Sequence, residues 1–143
     1  MSDLTRIDER FTSLPYRYGY TAFNDDAKPF DLDWQGPRRR RLANSYGRFD
    51  LQTGQMDSYF AGSSHSLQEV QFVPRPGSQE EGDGYLLGVA SNFAEMRSEL
   101  VILDAKNLAA GDIARVILPF RSTVQVHGKW FTPGDLSKLG ASV

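Results

Sequence analysis

The stretch Tyr46-Gly47-Arg48-Phe49-Asp50-Leu51-Gln52-Thr53-Gly54 is an apolar run that stops at an aspartate and continues into turn residues. The same plan recurs where Leu100 to Asp104 precedes a turn and the run Ala114 to Leu118. An aspartate at a strand end can bond the backbone that follows it and so open a turn. Two β-hairpins are therefore predicted, with Asp50 and Asp104 at corresponding positions.

Short apolar runs separated by Gly, Pro, Asn and Asp continue along the chain and are typical of a β-rich protein. The predicted strands are Tyr16 to Ala22, Ser45 to Asp50, Gln55 to Phe60, Val70 to Pro74, Tyr85 to Asn92, Glu99 to Asp104 and Ala114 to Leu118. One-turn helices are indicated at Ala105 to Ala109 and at Thr132 to Leu139, where Pro133 suits a helix start. The interval from Asp50 to Asp104 is slightly longer than the ~40 to 50 residues of a β-propeller blade, and an unrelated sandwich or meander also fits it.

The bulk composition indicates one compact domain. The chain has 143 residues, of which 40% are hydrophobic, and this is enough for one core. It contains no cysteine, which excludes disulfides and thiolate metal sites and fits a reducing, cytoplasmic location. No stretch approaches the ~20 apolar residues of a membrane helix, so no membrane span is expected.

The charge balance argues against a nucleic-acid partner. The net charge is -2, whereas nucleic-acid-binding proteins usually carry a basic excess over a whole face. The run Arg38-Arg39-Arg40-Arg41 is the local exception. It has no interleaved aromatic platform, and we interpret it as a solvated loop.

Several motifs in a fixed order give the chain its resemblance to a known family. They are Arg6-Ile7-Asp8-Glu9-Arg10-Phe11, Glu69-Val70-Gln71-Phe72-Val73-Pro74-Arg75-Pro76-Gly77, Asp83-Gly84-Tyr85-Leu86-Leu87, Ser98-Glu99-Leu100-Val101-Ile102-Leu103-Asp104-Ala105 and Leu118 to Trp130. In this arrangement the chain resembles the C-terminal end of the carotenoid cleavage oxygenases, which include the lignostilbene dioxygenases. The stretch Asn92 to Glu99 is most similar to the stilbene-cleaving branch.

The resemblance implies a fold and an organisation. The family fold is a seven-bladed β-propeller, so the chain is expected to be all-β and to supply about two blades. Residues 1–143 would then form the C-terminal part of the propeller domain, and the missing N-terminal portion would be a partner.

The resemblance also implies a metal ligand. The family holds a non-haem Fe(II) ion with four histidines, and His127 matches the last of them. The chain contains two histidines in total, so it lacks the full ligand set. We expect the apolar strand to end at His127 and to fix the direction of the ring.

The resemblance further implies carboxylates that orient the histidine ligands, because a metal-bound imidazole needs a hydrogen-bond acceptor for its second ring nitrogen. Glu69 falls on one of the family's glutamate positions. Asp3, whose side chain is one methylene shorter, stands where a second glutamate is expected, and Thr5 replaces a proline of the motif. His65 matches no ligand and is expected to be exposed, while Trp130 and Phe131 are expected to pack around the His127 turn.

The implied function is the oxidative cleavage of a conjugated C=C bond of a stilbenoid or (apo)carotenoid into two carbonyl products. The partners would be a small hydrophobic substrate and dioxygen. The ligand count predicts that the isolated chain is inactive. Two alternatives remain: a non-catalytic β-domain that acts as a binding or assembly module, and a subunit completed by a separately encoded N-terminal part.

Overall fold

The computed structural model describes residues 2–31, 33, 43–123, 125 and 127–140, with side chains from residue 5 onward. Its strands are β1 (Ser2–Arg6), β2 (Tyr18–Phe23), β3 (Ser45–Asp50), β4 (Met56–Phe60), β5 (His65–Pro74), β6 (Gly84–Asn92), β7 (Arg97–Asp104) and β8 (Asp112–Ile117). The described residues also include a short helix, α1 (Pro133–Lys138), and 3₁₀ turns at Glu9–Phe11 and Leu108–Ala110. The predicted all-β class is confirmed. The run Arg38 to Arg41 lies outside the described residues.

The strands form two four-stranded antiparallel sheets. The first has the order β1-β2-β3-β4 and the second has the order β5-β6-β7-β8, so each sheet is built from consecutive strands. A four-stranded meander is the repeating unit of a β-propeller. The chain thus supplies about two blades, as expected.

The aspartates that end β3 and β7 act as predicted. Asp50 Oδ1 accepts a hydrogen bond from the backbone N–H of Gln52 at 2.9 Å. Asp104 Oδ1 accepts one from the backbone N–H of Lys106 at 2.8 Å. Each carboxylate therefore satisfies the first free donor of the turn that follows its strand.

The helix and strand ends differ modestly from the predictions. Helix α1 has a capping box between Thr132 and Asp135 and begins at Pro133, as expected. Strand β1 was not predicted, because Ser2–Arg6 is mostly polar and becomes a strand only by pairing with β2. Strand β5 begins at His65, five residues before the predicted start.

The two sheets pack against each other through one core. Its buried members are Tyr20, Ala22, Tyr46, Tyr59, Ala61, Leu67, Val70, Phe72, Leu86, Ala90, Val101, Leu103, Ala105 and Leu108. The rings of Tyr20 and Phe72 stack across the interface with centroids 5.4 Å apart. Tyr46 Oη, from the first sheet, donates to the carbonyl of Gln68 in the second at 3.0 Å. These contacts hold β5 firmly beside the first sheet.

Candidate metal-ligand site

A β-bulge in β5 directs two polar side chains toward the segment that follows β8. The pairing register with β6 shifts between Leu67 and Val70, so Gln68 and Glu69 stand opposite a single residue. A bulge bends a strand and re-aims its side chains. Gln68 Nε2 donates to the carbonyl of Thr123 at 3.2 Å, within the following segment. Glu69 reaches the same segment further along.

The Glu69 carboxylate is the centre of the site. Oε1 accepts from Arg6 Nε at 2.9 Å, and Oε2 accepts from Arg6 Nη2 at 2.9 Å and from the backbone N–H of Gly128 at 2.6 Å. His127 Nδ1 lies 3.5 Å from Oε1. The Glu69 side chain is only 6% exposed, so these donors replace the water that a surface carboxylate would have.

The charge state of Glu69 follows from these partners. Burial raises the pKa of the carboxyl group, but the hydrogen bonds from the Arg6 guanidinium and the Gly128 amide outweigh it and hold the pKa below its ordinary value. Glu69 is therefore an ionised acceptor at neutral pH.

His127 lies beside this carboxylate with its side chain 69% exposed. Its Nδ1 faces Glu69 at a distance longer than an ordinary hydrogen bond, and Nε2 is left as the nitrogen for another partner. The expectation that an apolar strand ends at His127 is wrong, because β8 ends at Ile117 and residues 118–123, 125 and 127–132 are not strand. The contacts at this turn are instead those that Glu69 makes with His127 Nδ1 and with the Gly128 N–H.

His65 is not exposed, contrary to the expectation. It opens β5, its residue is 9% exposed, and its Nε2 lies 3.5 Å from Glu99 Oε2 and 3.2 Å from Arg115 Nη1. Burial lowers the pKa of the imidazole despite the attraction of Glu99. The small residues of Gly62-Ser63-Ser64 suggested a surface loop, but they form the turn that leads His65 into the core.

Glu99 anchors a second, separate polar cluster. Its carboxylate is almost fully buried and accepts from Asn92 Nδ2 at 3.0 Å, Arg97 Nε at 2.7 Å and Arg115 Nη1 at 3.1 Å. Burial raises the pKa of Glu99, but these hydrogen bonds outweigh it and lower the pKa to about 2. His65 is thus part of an internal charge network.

A cavity of about 240 Å³ adjoins His127. Its lining includes Leu87, Val89, Leu100, Gln68, Gln71 and Trp130. Among the described residues, the Oε1 atoms of both glutamines are buried without a hydrogen-bond partner. Trp130 lines the same cavity as His127 but is 46% exposed, and Phe131 is 41% exposed with the Lys129 ammonium 5.7 Å from its ring centroid. The expected packing of the two rings around the His127 turn stays a prediction.

The contacts of Arg6 with Glu69 and Gly128 were not predicted. Arg6 belongs to the motif Arg6 to Phe11, but its partners lie far along the chain, and a single sequence gives no signal for such a pairing. The backbone of Asp3 pairs with Ala22, and its side chain lies outside the described part of the structure. Its role as a substitute for the expected glutamate stays a prediction.

Two features are absent from the described ranges. Those residues contain no group of three or more His, Cys, Asp or Glu side chains that could hold a metal ion. They also contain no helix that is both long and apolar enough to cross a membrane. His127 therefore stands as a single candidate ligand with its carboxylate partner.

Comparison with known proteins identifies relatives of the chain. Residues 1–132 match the family described as retinal pigment epithelial membrane protein, RPE65. Resveratrol cleavage oxygenase 1 of Aspergillus fumigatus is 37% identical over 94% of the chain. The crystal structure of Pseudomonas brassicacearum lignostilbene dioxygenase superposes with a TM-score of 0.82 at 36% identity, over 88% of this chain and 26% of that one. The crystal structure of cobalt-substituted Synechocystis apocarotenoid oxygenase superposes with a TM-score of 0.78 at 28% identity, over 91% of this chain and 25% of that one.

The matches cover nearly all of this chain but a small part of its relatives. The chain spans 28% of the length of the Aspergillus fumigatus protein, and about a quarter of the solved structures. The family match runs over almost the whole sequence, and the two-sheet architecture is shared with the solved enzymes. The chain therefore belongs to the RPE65 and carotenoid oxygenase family.

Proposed function

We propose that the chain is the C-terminal portion, residues 1–143, of the β-propeller of a non-haem Fe(II) dioxygenase. The complete enzyme would cleave a conjugated C=C bond into two carbonyl products. The isolated chain would be inactive, because it lacks most of the metal site.

The observation that carries this proposal is the pairing of His127 with Glu69. Both residues fall on positions that the family resemblance assigns to an iron ligand and its carboxylate partner. Nδ1 of His127 faces the buried carboxylate, so Nε2 is the nitrogen left for a metal. A carboxylate on the second ring nitrogen is the usual arrangement around metal-bound histidines.

The chemistry of His127 fits one position of an Fe(II) site, since neutral imidazole is a good ligand for that ion. The rest of the set does not come from this chain. His65, the other histidine, is buried against Glu99 and Arg115. We infer that the remaining three histidines belong to the N-terminal portion of a longer protein.

When bound, the iron supplies the redox chemistry that adds dioxygen across the substrate double bond. The residues of this chain prepare the ligand. A hydrogen bond from Nδ1–H of His127 to Glu69 Oε1, which lies 3.5 Å away, would favour the imidazole tautomer that presents the Nε2 lone pair. The cavity wall formed by Leu87, Leu100 and Trp130 provides an apolar surface beside the ring.

A stilbenoid is the substrate class that we favour. The stretch Asn92 to Glu99 resembles the stilbene-cleaving branch, and relatives named for resveratrol and lignostilbene match nearly the whole chain. An (apo)carotenoid is the second choice. We place the reaction in the cytoplasm, which suits a chain without cysteine.

A non-catalytic binding or assembly module is the alternative function. It is favoured by the single histidine ligand in the described site. In that case the buried carboxylate and the cavity would persist as remnants of a site that no partner completes.

The deciding experiment restores the missing portion. We expect a fusion of this chain to the N-terminal three quarters of the Pseudomonas brassicacearum enzyme, loaded anaerobically with Fe(II), to release aldehydes from a stilbenoid. The chain alone should retain little iron by metal analysis and give no product. The complete relative is the positive control. A folded fusion without product would support the module, and product or stoichiometric iron from the chain alone would refute the proposal.

A further inference from the structure

We propose that Arg6 is a positioning residue for His127, acting through Glu69 and Gly128. The proposal rests on the proposed function, in which His127 is the metal ligand. It assigns a role to β1, the strand that lies furthest along the chain from the histidine.

Three parts of the fold meet at the Arg6 guanidinium. Nε and Nη2 each donate to one oxygen of Glu69 at 2.9 Å, and Nη2 also donates to the carbonyl of Gly128 at 3.1 Å. Arg6 belongs to the first sheet, Glu69 to the second, and Gly128 to the segment after β8. One side chain therefore joins both sheets to the backbone next to His127.

The forked contact fixes the plane of the carboxylate. A bidentate arginine allows a carboxylate only one orientation, which a single-point contact from lysine does not. Here that orientation matters, because Oε1 faces His127 Nδ1 while Oε2 accepts from the Gly128 N–H. If the Glu69 carboxylate rotated, its two oxygens could not face His127 Nδ1 and the Gly128 N–H at the same time.

Arg6 also holds the peptide group beside the ligand directly. The N–H of Gly128 donates to Glu69, and the carbonyl of Gly128 accepts from Arg6. Both polar groups of this residue are thus bound to the same ion pair. His127 directly precedes Gly128, and its own side chain is largely exposed. The two hydrogen bonds of the Gly128 peptide groups are therefore the main constraint on the direction of the His127 ring.

A neighbouring ion pair provides a matched control. Arg10 makes the same forked contact with Asp8, through Nε at 2.9 Å and Nη2 at 2.6 Å. The side-chain exposures are 30% and 2% for this pair, against 28% and 6% for Arg6 and Glu69. The Arg10 contacts recorded in the described structure are to Asp8 and to the backbone of Ser78 and Glu80, away from His127.

The test compares Arg6→Gln, Arg6→Lys and Arg10→Gln in the full chain labelled with ¹⁵N-glycine and ¹⁵N-histidine. Selective labelling leaves 13 glycine and two histidine residues to assign, which keeps spectra readable for an oligomer. The readouts are hydrogen exchange of the Gly128 amide and the ring tautomer of neutral His127. Neither needs iron or turnover, so failure here is distinct from failure of the proposed dioxygenase.

In the unaltered chain we expect a protected Gly128 amide and a proton on Nδ1 of His127. Arg6→Gln should speed Gly128 exchange by about tenfold, as expected for weakening of a charge-assisted hydrogen bond, and move the ring toward the Nε2–H tautomer. Arg6→Lys should give an intermediate result and keeps the test valid if Arg6→Gln does not fold. Arg10→Gln should leave both readouts unchanged. Equal effects of the Arg6 and Arg10 substitutions, or none from either Arg6 variant, would overturn the proposal.

Discussion

The Tyr46 hydroxyl occupies the space where the first side-chain carbon of any residue other than glycine at position 88 would stand. The tyrosine cannot easily move away, because its ring is buried in the core and its Oη donates to the carbonyl of Gln68 at 3.0 Å. The absence of a side chain at Gly88 in β6 thus leaves room for Tyr46 of β3. Tyr46 in turn hydrogen-bonds to the β5 bulge that contains Glu69.

Gly88→Ala should therefore be destabilising. Overpacking of a filled core typically costs about 1 to 3 kcal/mol, and loss of the Tyr46 hydrogen bond would add to it. Gly134→Ala is the control, since Gly134 lies in α1 and the nearest described atom to its added carbon is Thr132 Oγ1, in ordinary contact at 3.7 Å. The measurement is the free energy of unfolding in urea. Equal stability of the two variants would contradict this account of Gly88.

The buried carboxylate of Glu99 predicts a pH dependence. Its pKa is lowered from 4.5 to about 2 in the folded chain, so it contributes stability that is fully present above the unfolded value. That contribution is lost as the pH falls from about 4.5 through about 2. We expect the unfolding free energy to decline over this window.

Glu99→Gln should remove much of that decline and cost about 3 kcal/mol at pH 7, because Arg97 and Arg115 would lose their shared partner. Glu95→Gln is the matched control, since Glu95 also pairs with Arg97 but its side chain is 55% exposed. Urea titrations from pH 2 to 7 provide the measurement. An unchanged acid profile in Glu99→Gln would show that another group controls acid unfolding.

The outer surfaces of both sheets predict self-association. Large apolar side chains are exposed on the first sheet and its flanks at Leu14, Tyr16, Phe49, Leu51 and Met56, and on β8 at Ile113, Val116 and Ile117. Unpaired sheet edges and apolar patches of this kind favour association. The isolated chain should elute from a sizing column as an oligomer. Phe49→Lys with Met56→Lys should reduce its size, whereas Leu139→Lys should not, and a monodisperse monomer of the unaltered chain would contradict the prediction.

Much of the fold could be predicted from local signals. The aspartates that end β3 and β7 bond residues two positions ahead, and the Thr132 to Asp135 capping box spans three, so both leave a pattern in the sequence. Strand β1 leaves none, because its hydrogen bonds come from β2 and not from its own composition.

The candidate site was predictable only in part, for the same reason. Glu69 and His127 could be proposed as site residues through the family resemblance, but the contacts of Glu69 with Arg6 and with His127 join residues that lie far apart in the sequence. The burial of His65 depends on Glu99 and Arg115, which belong to other strands. Side-chain pairings between distant strands determine both outcomes, and residue type alone does not reveal them.

The last prediction ranks substitutions in the fusion with the N-terminal portion of a relative. His127→Ala should abolish turnover, because it removes a proposed ligand. Glu69→Gln should reduce metal affinity or activity by about 10 to 100-fold, since it keeps an acceptor oxygen but loses the charge and one acceptor for the donors of Arg6 and Gly128. Metal content and product release are measured on the same samples.

His65→Ala is the discriminating comparison in that series. The residue is buried beside Glu99, so its loss should lower stability by about 1 to 3 kcal/mol while leaving turnover per folded molecule within about twofold. Thermal unfolding separates the two effects, because His127→Ala removes an exposed side chain and should hardly change the melting temperature. If His65→Ala stopped turnover in a folded, iron-loaded fusion, or if Glu69→Gln had no effect on metal or product, the assignment of His127 and Glu69 would be wrong even though the propeller fold stood.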